Sequence, residues 1–212
     1  MNKKDVVAVV LGGPSSEAEV SRRTGAAIAE ALREKGYNAV EVELVPEKLV
    51  EQLKEIDAKV VFNAVHGMYG EDGRLQSMLE AIKMPYTGSG VLASAVAMDK
   101  IATKRFLISA NISTPKSLMY NKRFDKDAEL IEKEIIATFG VPVVIKAADQ
   151  GSSIGVEIVK SEADVKTALE NVFKYSDLVL VEECINGKEL TCGVMDVEGE
   201  LKALPIVMIV PH

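Results

Sequence analysis

Three glycine-bearing segments of the chain hold the side chains best suited to binding charged ligands. The first is the turn 11–17, Leu-Gly-Gly-Pro-Ser-Ser-Glu, between a predicted strand and a predicted helix. Backbone N–H groups and the helix dipole at such a turn attract an anion, for example a carboxylate. The turn lacks the Gly-Lys-Ser/Thr ending of a phosphate-binding P-loop. Glu17 therefore either lines a ligand site or only stabilises the first helical turn.

The second segment, 66–73, reads His-Gly-Met-Tyr-Gly-Glu-Asp-Gly. Its three glycines allow a tight loop, and it follows a predicted strand at the end where open α/β sheets bind ligands. His66 shares one turn with Glu71 and Asp72. The sequence is equally compatible with a functional and a structural role for this histidine.

The third segment begins with Lys146, which ends an apolar predicted strand and precedes the loop 149–155, Asp-Gln-Gly-Ser-Ser-Ile-Gly. A lysine at a buried strand is costly unless an anion pairs with it. The glycines of the loop permit phosphate oxygens to approach the backbone, and Ser152 and Ser153 offer hydroxyl donors. The segment indicates a phosphate site, with an ordinary flexible hairpin as the alternative.

Two further patterns are weaker. The predicted strand 180–185 runs into a linker whose backbone N–H and C=O groups could read an adenine edge, although acids at a strand end are commonly just solvated. Residues 88–93 match the dinucleotide pattern Gly-x-Gly-x-x-Ala. Pro85 and Tyr86 argue against a preceding parallel strand, and no acid stands about 20 residues on, so this segment does not predict an NAD site.

The elements that position these segments divide near Asp99. Before it, short β-branched runs alternate with helical patterns, which predicts a parallel sheet covered by helices. The predicted strands there are Val6–Leu11, Asn38–Leu44 and Lys59–Asn63, and the helices are Glu17–Lys35, Pro46–Ile56 and one with the stripe Leu75, Met78, Leu79 and Ile82.

After Asp99 the pattern predicts a second domain. Its predicted helices are Lys100–Ala110, Ala128–Phe139 and one opened by a capping box at Ser161–Asp164. Its predicted strands are Pro142–Ala147 and Leu178–Glu182, followed by a hairpin of Lys188–Val197 and Glu200–Val210 that turns near Glu198 and Gly199.

The composition excludes several classes of function. The net charge of −7 argues against a nucleic-acid partner, because backbone phosphates are bound by clustered Lys and Arg. The longest apolar runs are too short for a membrane span or a signal-peptide core, which predicts a cytoplasmic protein. The two cysteines and two histidines lack the paired spacing of a zinc site, so reduced thiols are expected.

In their order and separation, the motifs resemble those of the D-alanine:D-alanine ligase family of ATP-grasp enzymes. The segments that carry the resemblance are Gly12–Ser21, His66–Gly73, Pro85–Gly90, Met98–Lys100 and Gly151–Gly155. They extend over essentially the whole chain. The resemblance implies an α/β fold with a Rossmann-like parallel-sheet domain over residues 1–99, a central ATP-grasp α+β subdomain over 100–187, and an incomplete C-terminal subdomain over 188–212.

The resemblance also implies residue roles at the first substrate. Glu17 would receive the ammonium of the first D-alanine and join a hydrogen-bonded network through Ser152. His66 would lie beside that substrate. These three residues form the expected catalytic and substrate-binding set.

For the nucleotide, the resemblance implies that Lys100 and Lys146 hold the ATP phosphates beneath a loop containing Gly151, Ser152 and Ser153. Glu182 and the backbone of Ile185 would contact adenine, Glu183 would lie in the same site, and Glu189 would hold the ribose. Mg²⁺ or Mn²⁺ is the implied metal, and its ligands are expected beyond His212, with none in this chain.

The implied reaction converts one D-alanine into an acylphosphate, which the amine of a second D-alanine attacks to give a dipeptide for peptidoglycan. A homodimer is the assembly that the family suggests. Two alternatives remain open. The 212-residue chain could be a module that binds nucleotide or D-amino acid without turnover, or the protein could be a related ligase that uses D-lactate or D-serine.

Overall fold

The first part of the chain forms a parallel sheet in the strand order β2-β1-β3, with helices in the connections. The structure, a computed structural model, describes residues 2–125, 127–151 and 153–210. The elements are β1 Val6–Leu11, α1 Ala18–Glu34, β2 Asn38–Glu43, α2 Leu49–Glu55, β3 Ala58–Asn63, α3 Arg74–Ala81 and α4 Val91–Met98. Because β1 and β3 are parallel neighbours, the loops that follow them leave the sheet at the same edge.

Strand β1 lies at the centre of this sheet. Residues Val7 to Leu11 are all buried, as expected for a β-branched apolar run covered on both faces. Helix α1 packs against the sheet through small buried residues that include Gly25. A methyl group on Gly25 would come within 2.6 Å of Leu11 Cβ, so the helix can lie this close to the strand only with glycine at that position.

The second part of the chain forms an antiparallel sheet in the order β4-β7-β5-β6, covered by α6 and α7. The elements are α5 Lys100–Ser109, β4 Ser117–Asn121, α6 Ala128–Phe139, β5 Val143–Ala147, β6 Val156–Val159, α7 Val165–Val172 and β7 Leu178–Glu183. Apolar residues of β5, β7 and α7 fill a core separate from that of the parallel sheet. This sheet presents the strand ends that carry Lys146 and Glu182.

The last described residues form two paired ladders. Strands β9 Val194–Val197 and β10 Glu200–Ala203 make a hairpin, while β8 Glu189–Thr191 pairs with β11 Val207–Ile209. Glu198 and Gly199 turn the hairpin, both with positive φ. The predicted hairpin and its turn are therefore confirmed, with an irregular step between the two ladders where Leu204 N donates to Gly193 O at 2.8 Å.

Two local predictions were wrong. The helix expected from Pro46 begins at Leu49, because the preceding residues form a turn closed by a hydrogen bond from Lys48 N to Val45 O. Within the described residues the Ser161 side chain caps no helix, and a short 3-10 helix stands where the capping box was expected. Tyr86 forms an isolated parallel bridge with Val61 and belongs to none of the strands of the described residues, so the dinucleotide pattern still has no preceding strand and no distant acid.

Helix α4 and strand β4 had not been predicted, whereas the strands of the parallel sheet and α6 lie where the sequence placed them. In the part of the chain that the structure describes, no helix is both long and apolar enough to cross a lipid bilayer.

Candidate active site

Two loops at one edge of the parallel sheet form the first half of the site. They are the loop after β1 and the loop after β3, and two serines of the first loop and of α1 join them. Ser15 Oγ donates to His66 O at 2.8 Å. Ser21, fully buried in α1, accepts from Gly12 N and donates to Ala64 O, both at 2.7 Å. The two predicted ligand loops are therefore held together by hydrogen bonds.

The Glu17 carboxylate lies against both the second loop and Gly151 of the loop 149–155, here called the Gly/Ser loop. A methyl group on Gly67 would come within 2.7 Å of Glu17 Oε2, and one on Gly151 within 3.4 Å. Among the described residues the Glu17 side chain does not cap its own helix. This geometry favours a role between the loops over simple stabilisation of α1.

His66 contacts helix α1 and a carboxylate of its own loop. Its Nε2 lies 3.2 Å from Thr24 Oγ1, and its Nδ1 lies 3.9 Å from Glu71 Oε1. The imidazole is one-third exposed and lines a cavity of about 360 Å³ behind the second loop. His66 and Glu17 thus line neighbouring cavities, with Gly67 between them.

The cleft on the Glu17 side combines all three segments that the sequence singled out. Its volume is about 370 Å³. It is lined by Pro14, Ser15, Ser16 and Glu17 of the first loop, Gly67, Met68, Asp72 and Arg74 of the second, Met98, and Asp149, Gln150, Gly151 and Ile154 of the third. A ligand in this cleft would touch the parallel-sheet and antiparallel-sheet parts at once.

Lys100 is the first residue of α5 and lies under the Gly/Ser loop. The Asp99 carboxylate caps α5 by accepting from Ile101 N and Ala102 N, which fixes where the helix begins. The Lys100 ammonium donates to Gln150 O. Burial and the charge of nearby Lys146 lower the pKa of Lys100 below its usual value. An anion bound beside such a lysine stabilises its charged form, so Lys100 is suited to bind one.

Lys146 donates to Glu182 Oε2 at 2.5 Å, so the anion that the sequence required for this lysine is Glu182. The two side chains lie on one face of the sheet, because Val144 stands opposite Glu182 and Lys146 is two residues further along β5. The Glu182 side chain is 7% exposed and that of Lys146 is 28% exposed. The Lys146 side chain is therefore partly exposed while its partner stays buried.

Glu182 has a second cationic partner that the sequence reasoning missed. Lys104 in α5 donates to Glu182 Oε1 at 2.5 Å and is itself buried. Burial alone would raise the pKa of Glu182, but the hydrogen bonds from Lys104 and Lys146 outweigh it and lower that pKa. A signal existed: Lys104 follows buried Ile101 by one helical turn, so a lysine occupies the buried face of α5.

The remaining predicted site residues lie along the antiparallel part. Glu183 Oε1 accepts from Lys116 N at 2.7 Å, Ile185 is 64% exposed just after β7, and Glu189 begins β8. Ser153 has a positive φ in the Gly/Ser loop. Ser152 lies outside the described residues. Within residues 2–125, 127–151 and 153–210, His, Cys, Asp and Glu form no cluster of three or more fit to hold a metal ion.

The fold and the site define an α/β protein whose ligand cleft lies between a parallel sheet and an antiparallel sheet that carries a lysine cluster. Sequence models described as the D-ala D-ala ligase N-terminus and C-terminus match residues 41–89 and 107–212. The D-alanine–D-alanine ligase of Moorella thermoacetica is 43% identical over 207 residues, which are 97% of this chain and 66% of that protein. The chain belongs to the D-alanine–D-alanine ligase family.

Solved structures agree with this assignment and confirm the predicted fold class. The D-alanine–D-alanine ligase from Bacillus anthracis complexed with ATP superposes with a TM-score of 0.83 at 33% identity, over 98% of this chain and 67% of that chain. The VanG D-Ala:D-Ser ligase from Enterococcus faecalis superposes with a TM-score of 0.79 at 29% identity, over 96% and 69%. The chain spans about two thirds of the length of the curated relatives it matches.

Proposed function

We propose that the protein containing this chain joins two D-alanines into D-alanyl-D-alanine at the expense of ATP, through an acylphosphate, for peptidoglycan synthesis. The observation that carries the proposal is the cleft in which Glu17 faces the Gly/Ser loop, with the Lys100 and Lys146 cluster beneath that loop. One half offers a carboxylate for an ammonium, and the other offers cations for phosphate. A ligase that activates an amino acid needs both within reach of each other.

The first D-alanine is proposed to bind with its ammonium at Glu17 and its carboxylate toward the Gly/Ser loop. The start of α1 and the N–H groups of the loops favour an anion such as the substrate carboxylate, and Gly67 and Gly151 let both loops approach the Glu17 carboxylate closely. Ser152 would extend the hydrogen bonding from Glu17, and His66 would border the substrate from the neighbouring cavity. Glu17, Ser152 and His66 thereby keep the catalytic and substrate-binding roles assigned to them.

ATP is proposed to lie along the antiparallel part of the cleft. Lys100 and Lys146 hold the phosphates, with Gly151, Ser152 and Ser153 above them. Lys146 suits this role because two of its ammonium hydrogens remain after the bond to Glu182 and its side chain is partly exposed. The residues from Glu182 to Ile185 border the adenine, and Glu189 holds the ribose.

The chemistry then follows in two balanced steps. A carboxylate oxygen of the first D-alanine attacks the γ-phosphorus, the bond to the β-phosphate oxygen breaks, and ADP leaves. The neutral amine of the second D-alanine attacks the acyl carbon, inorganic phosphate leaves, and the nitrogen loses a proton. The lysines stabilise the charge on the transferring phosphoryl group, and the loop keeps water from the acylphosphate.

Mg²⁺ or Mn²⁺ is the metal expected of the whole protein, where it would offset phosphate charge. Among the described residues, His, Cys, Asp and Glu form no group of three or more that could hold it. We also propose domain boundaries at residues 99 and 187, a cytoplasmic location and a homodimer. The separate cores of the two sheets support the first boundary.

Lys146→Ala tests the nucleotide site. It removes charge-assisted hydrogen bonds worth about 1.5–3 kcal/mol each, so ATP affinity should fall by roughly tenfold or more. Lys133→Ala, which removes a charge from an exposed position of α6, is the matched control and should leave ATP affinity unchanged. Isothermal titration calorimetry of both folded variants measures their ATP affinities. Equal ATP affinities would refute the assignment of Lys146 to the nucleotide site.

A second candidate function is ligation of D-alanine to D-serine, because the D-Ala:D-Ser ligase above shares this fold over nearly the whole chain. D-lactate is the corresponding ester-forming acceptor. The natural full-length protein should be offered D-alanine alone and with each acceptor, and its products separated by mass. D-Alanyl-D-alanine as the main product supports the first candidate.

A further inference from the structure

Lys104 is a buried cation that the proposed reaction does not use. Its ammonium donates to Thr114 Oγ1 at 2.9 Å, to Pro115 O at 2.6 Å and to Glu182 Oε1 at 2.5 Å. Three hydrogens meet three acceptors, and the side chain is 7% exposed. Lys104 therefore has no hydrogen left for a ligand, and the charged group to which it is hydrogen-bonded is Glu182.

Glu182 joins Lys104 to Lys146. One carboxylate oxygen is held by Lys104 and the other by Lys146, whose side chain is four times as exposed as that of Lys104. Lys104 and Glu182 are buried, and Lys146 is the partly exposed member of the three. The three side chains thus form a continuous hydrogen-bonded chain from the buried face of α5 to the strand end beneath the Gly/Ser loop.

We propose that Lys104 is a positioning residue for the nucleotide phosphates: it neutralises Glu182, so that Lys146 is oriented by that carboxylate without having its charge cancelled by it. The inference rests on the proposed nucleotide site and adds a residue that never touches the nucleotide. Beyond its effect on stability, Lys104 thereby raises the affinity for phosphate groups specifically.

The charges around Glu182 support this positioning role of Lys104. Lys100, Lys104 and Lys146 face the single carboxylate of Glu182, which leaves a net charge of +2 among these four groups. Without Lys104 the net charge is +1, and the strongest attraction for Lys146 becomes Glu182 rather than a phosphate. Asp99 and Asp149 also act on Lys100, but they do so equally in both cases.

The geometry explains why this residue is lysine. Its three acceptors are a hydroxyl, a backbone carbonyl and one carboxylate oxygen, which surround a single nitrogen. An ammonium projects three hydrogens from one point, whereas a guanidinium presents a flat fork to two oxygens in its own plane. Arginine would keep the charge but not these contacts.

The test is the ratio of ATP affinity to adenosine affinity, measured by calorimetry and by competition on the natural full-length protein. In Lys104→Met the ratio should fall by about three- to tenfold, since part of one charge-assisted phosphate contact is lost. A purely structural role would lower the melting temperature, or both affinities, without changing the ratio. Arg105→Met, which removes the neighbouring exposed charge of α5, should leave the ratio unchanged.

A second comparison remains valid if Lys104→Met does not fold. Glu182→Gln and the double variant Lys104→Met/Glu182→Gln leave no buried carboxylate unpaired. If Lys104 acts only through Glu182, these two proteins should have the same ratio, and a difference would overturn the inference. An unchanged ratio in folded Lys104→Met would also overturn the inference if Lys146→Ala lowers the ratio. An unchanged ratio in Lys146→Ala would instead remove the nucleotide site itself, and the inference with it.

Discussion

Gly67→Ala is the substitution whose effect the structure defines most closely. Gly67 has a φ of 70°, in the left-handed region where a side chain is strained. The added methyl carbon would stand 2.7 Å from Glu17 Oε2 and 3.0 Å from Ser15 Oγ. Both neighbours are ends of flexible side chains, so they can move aside. The substitution should therefore fold but displace the carboxylate proposed to hold the first D-alanine.

The two effects have different sizes. Left-handed backbone costs an alanine about 1–2 kcal/mol, which for a chain of this size lowers the melting temperature by roughly 2–8 °C. To reach an ordinary contact of 3.4 Å, Glu17 Oε2 must move by about 0.7 Å. Misplacement by about 1 Å can cost a hundredfold in rate, so kcat/KM for the first D-alanine should fall by about ten- to a hundredfold.

Gly36→Ala separates strain from displacement. Gly36 has a φ of 81° at the end of α1, but its added methyl would meet only the Lys3 side chain, at 3.7 Å. Thermal melts of the two variants should agree within a few degrees, while steady-state kinetics at varied D-alanine should differ. If both variants keep wild-type D-alanine kinetics, Glu17 does not hold the first substrate where we place it.

Glu17→Gln, which removes the charge and keeps the shape, should weaken the first D-alanine by about 1.5–3 kcal/mol and leave ATP binding nearly unchanged, as seen in steady-state kinetics; a loss of only about 0.3–1 kcal/mol of stability with normal kinetics would mean that Glu17 merely complements the helix dipole. ATP affinity should fall as the pH rises from neutral toward the ordinary lysine value of 10.5, because burial and Lys146 lower the pKa of Lys100 and only its charged form attracts phosphate. Calorimetry across that range should show the decline in the wild type and not in Lys100→Arg; a decline that persists in the arginine variant would assign the titration to another group.

Local patterns predicted the elements whose burial is simple. Strand β1 is an unbroken apolar run rich in valine and α6 has a clear apolar stripe, so their bounds followed from the sequence pattern. Helix α4 was missed because its residues are small and nearly all apolar, which leaves no periodic stripe to recognise. Strand β4 was missed because its partner β7 lies about sixty residues away, and that pairing decides its structure.

The site was predictable in its loops and less so in its pairings. Glycines and polar residues in the three loops identified the cleft, because close backbone approach needs particular residue types. The anion required by Lys146 could be expected, but not its identity, since Glu182 meets it only through the pairing of β5 with β7. Lys104 was overlooked because a lysine in a helix is usually exposed.

Ser21 links the two loops of the parallel sheet to each other. One buried hydroxyl bonds the end of β1 and the residue after β3, so neither loop can shift without breaking a bond to the other. The Gly/Ser loop is fastened elsewhere, through Ala147 N to Gly155 O at 2.7 Å and through Lys100. Any change in cleft width that preserved these hydrogen bonds would keep the two loops beside Glu17 together and alter the distance between Glu17 and Lys100.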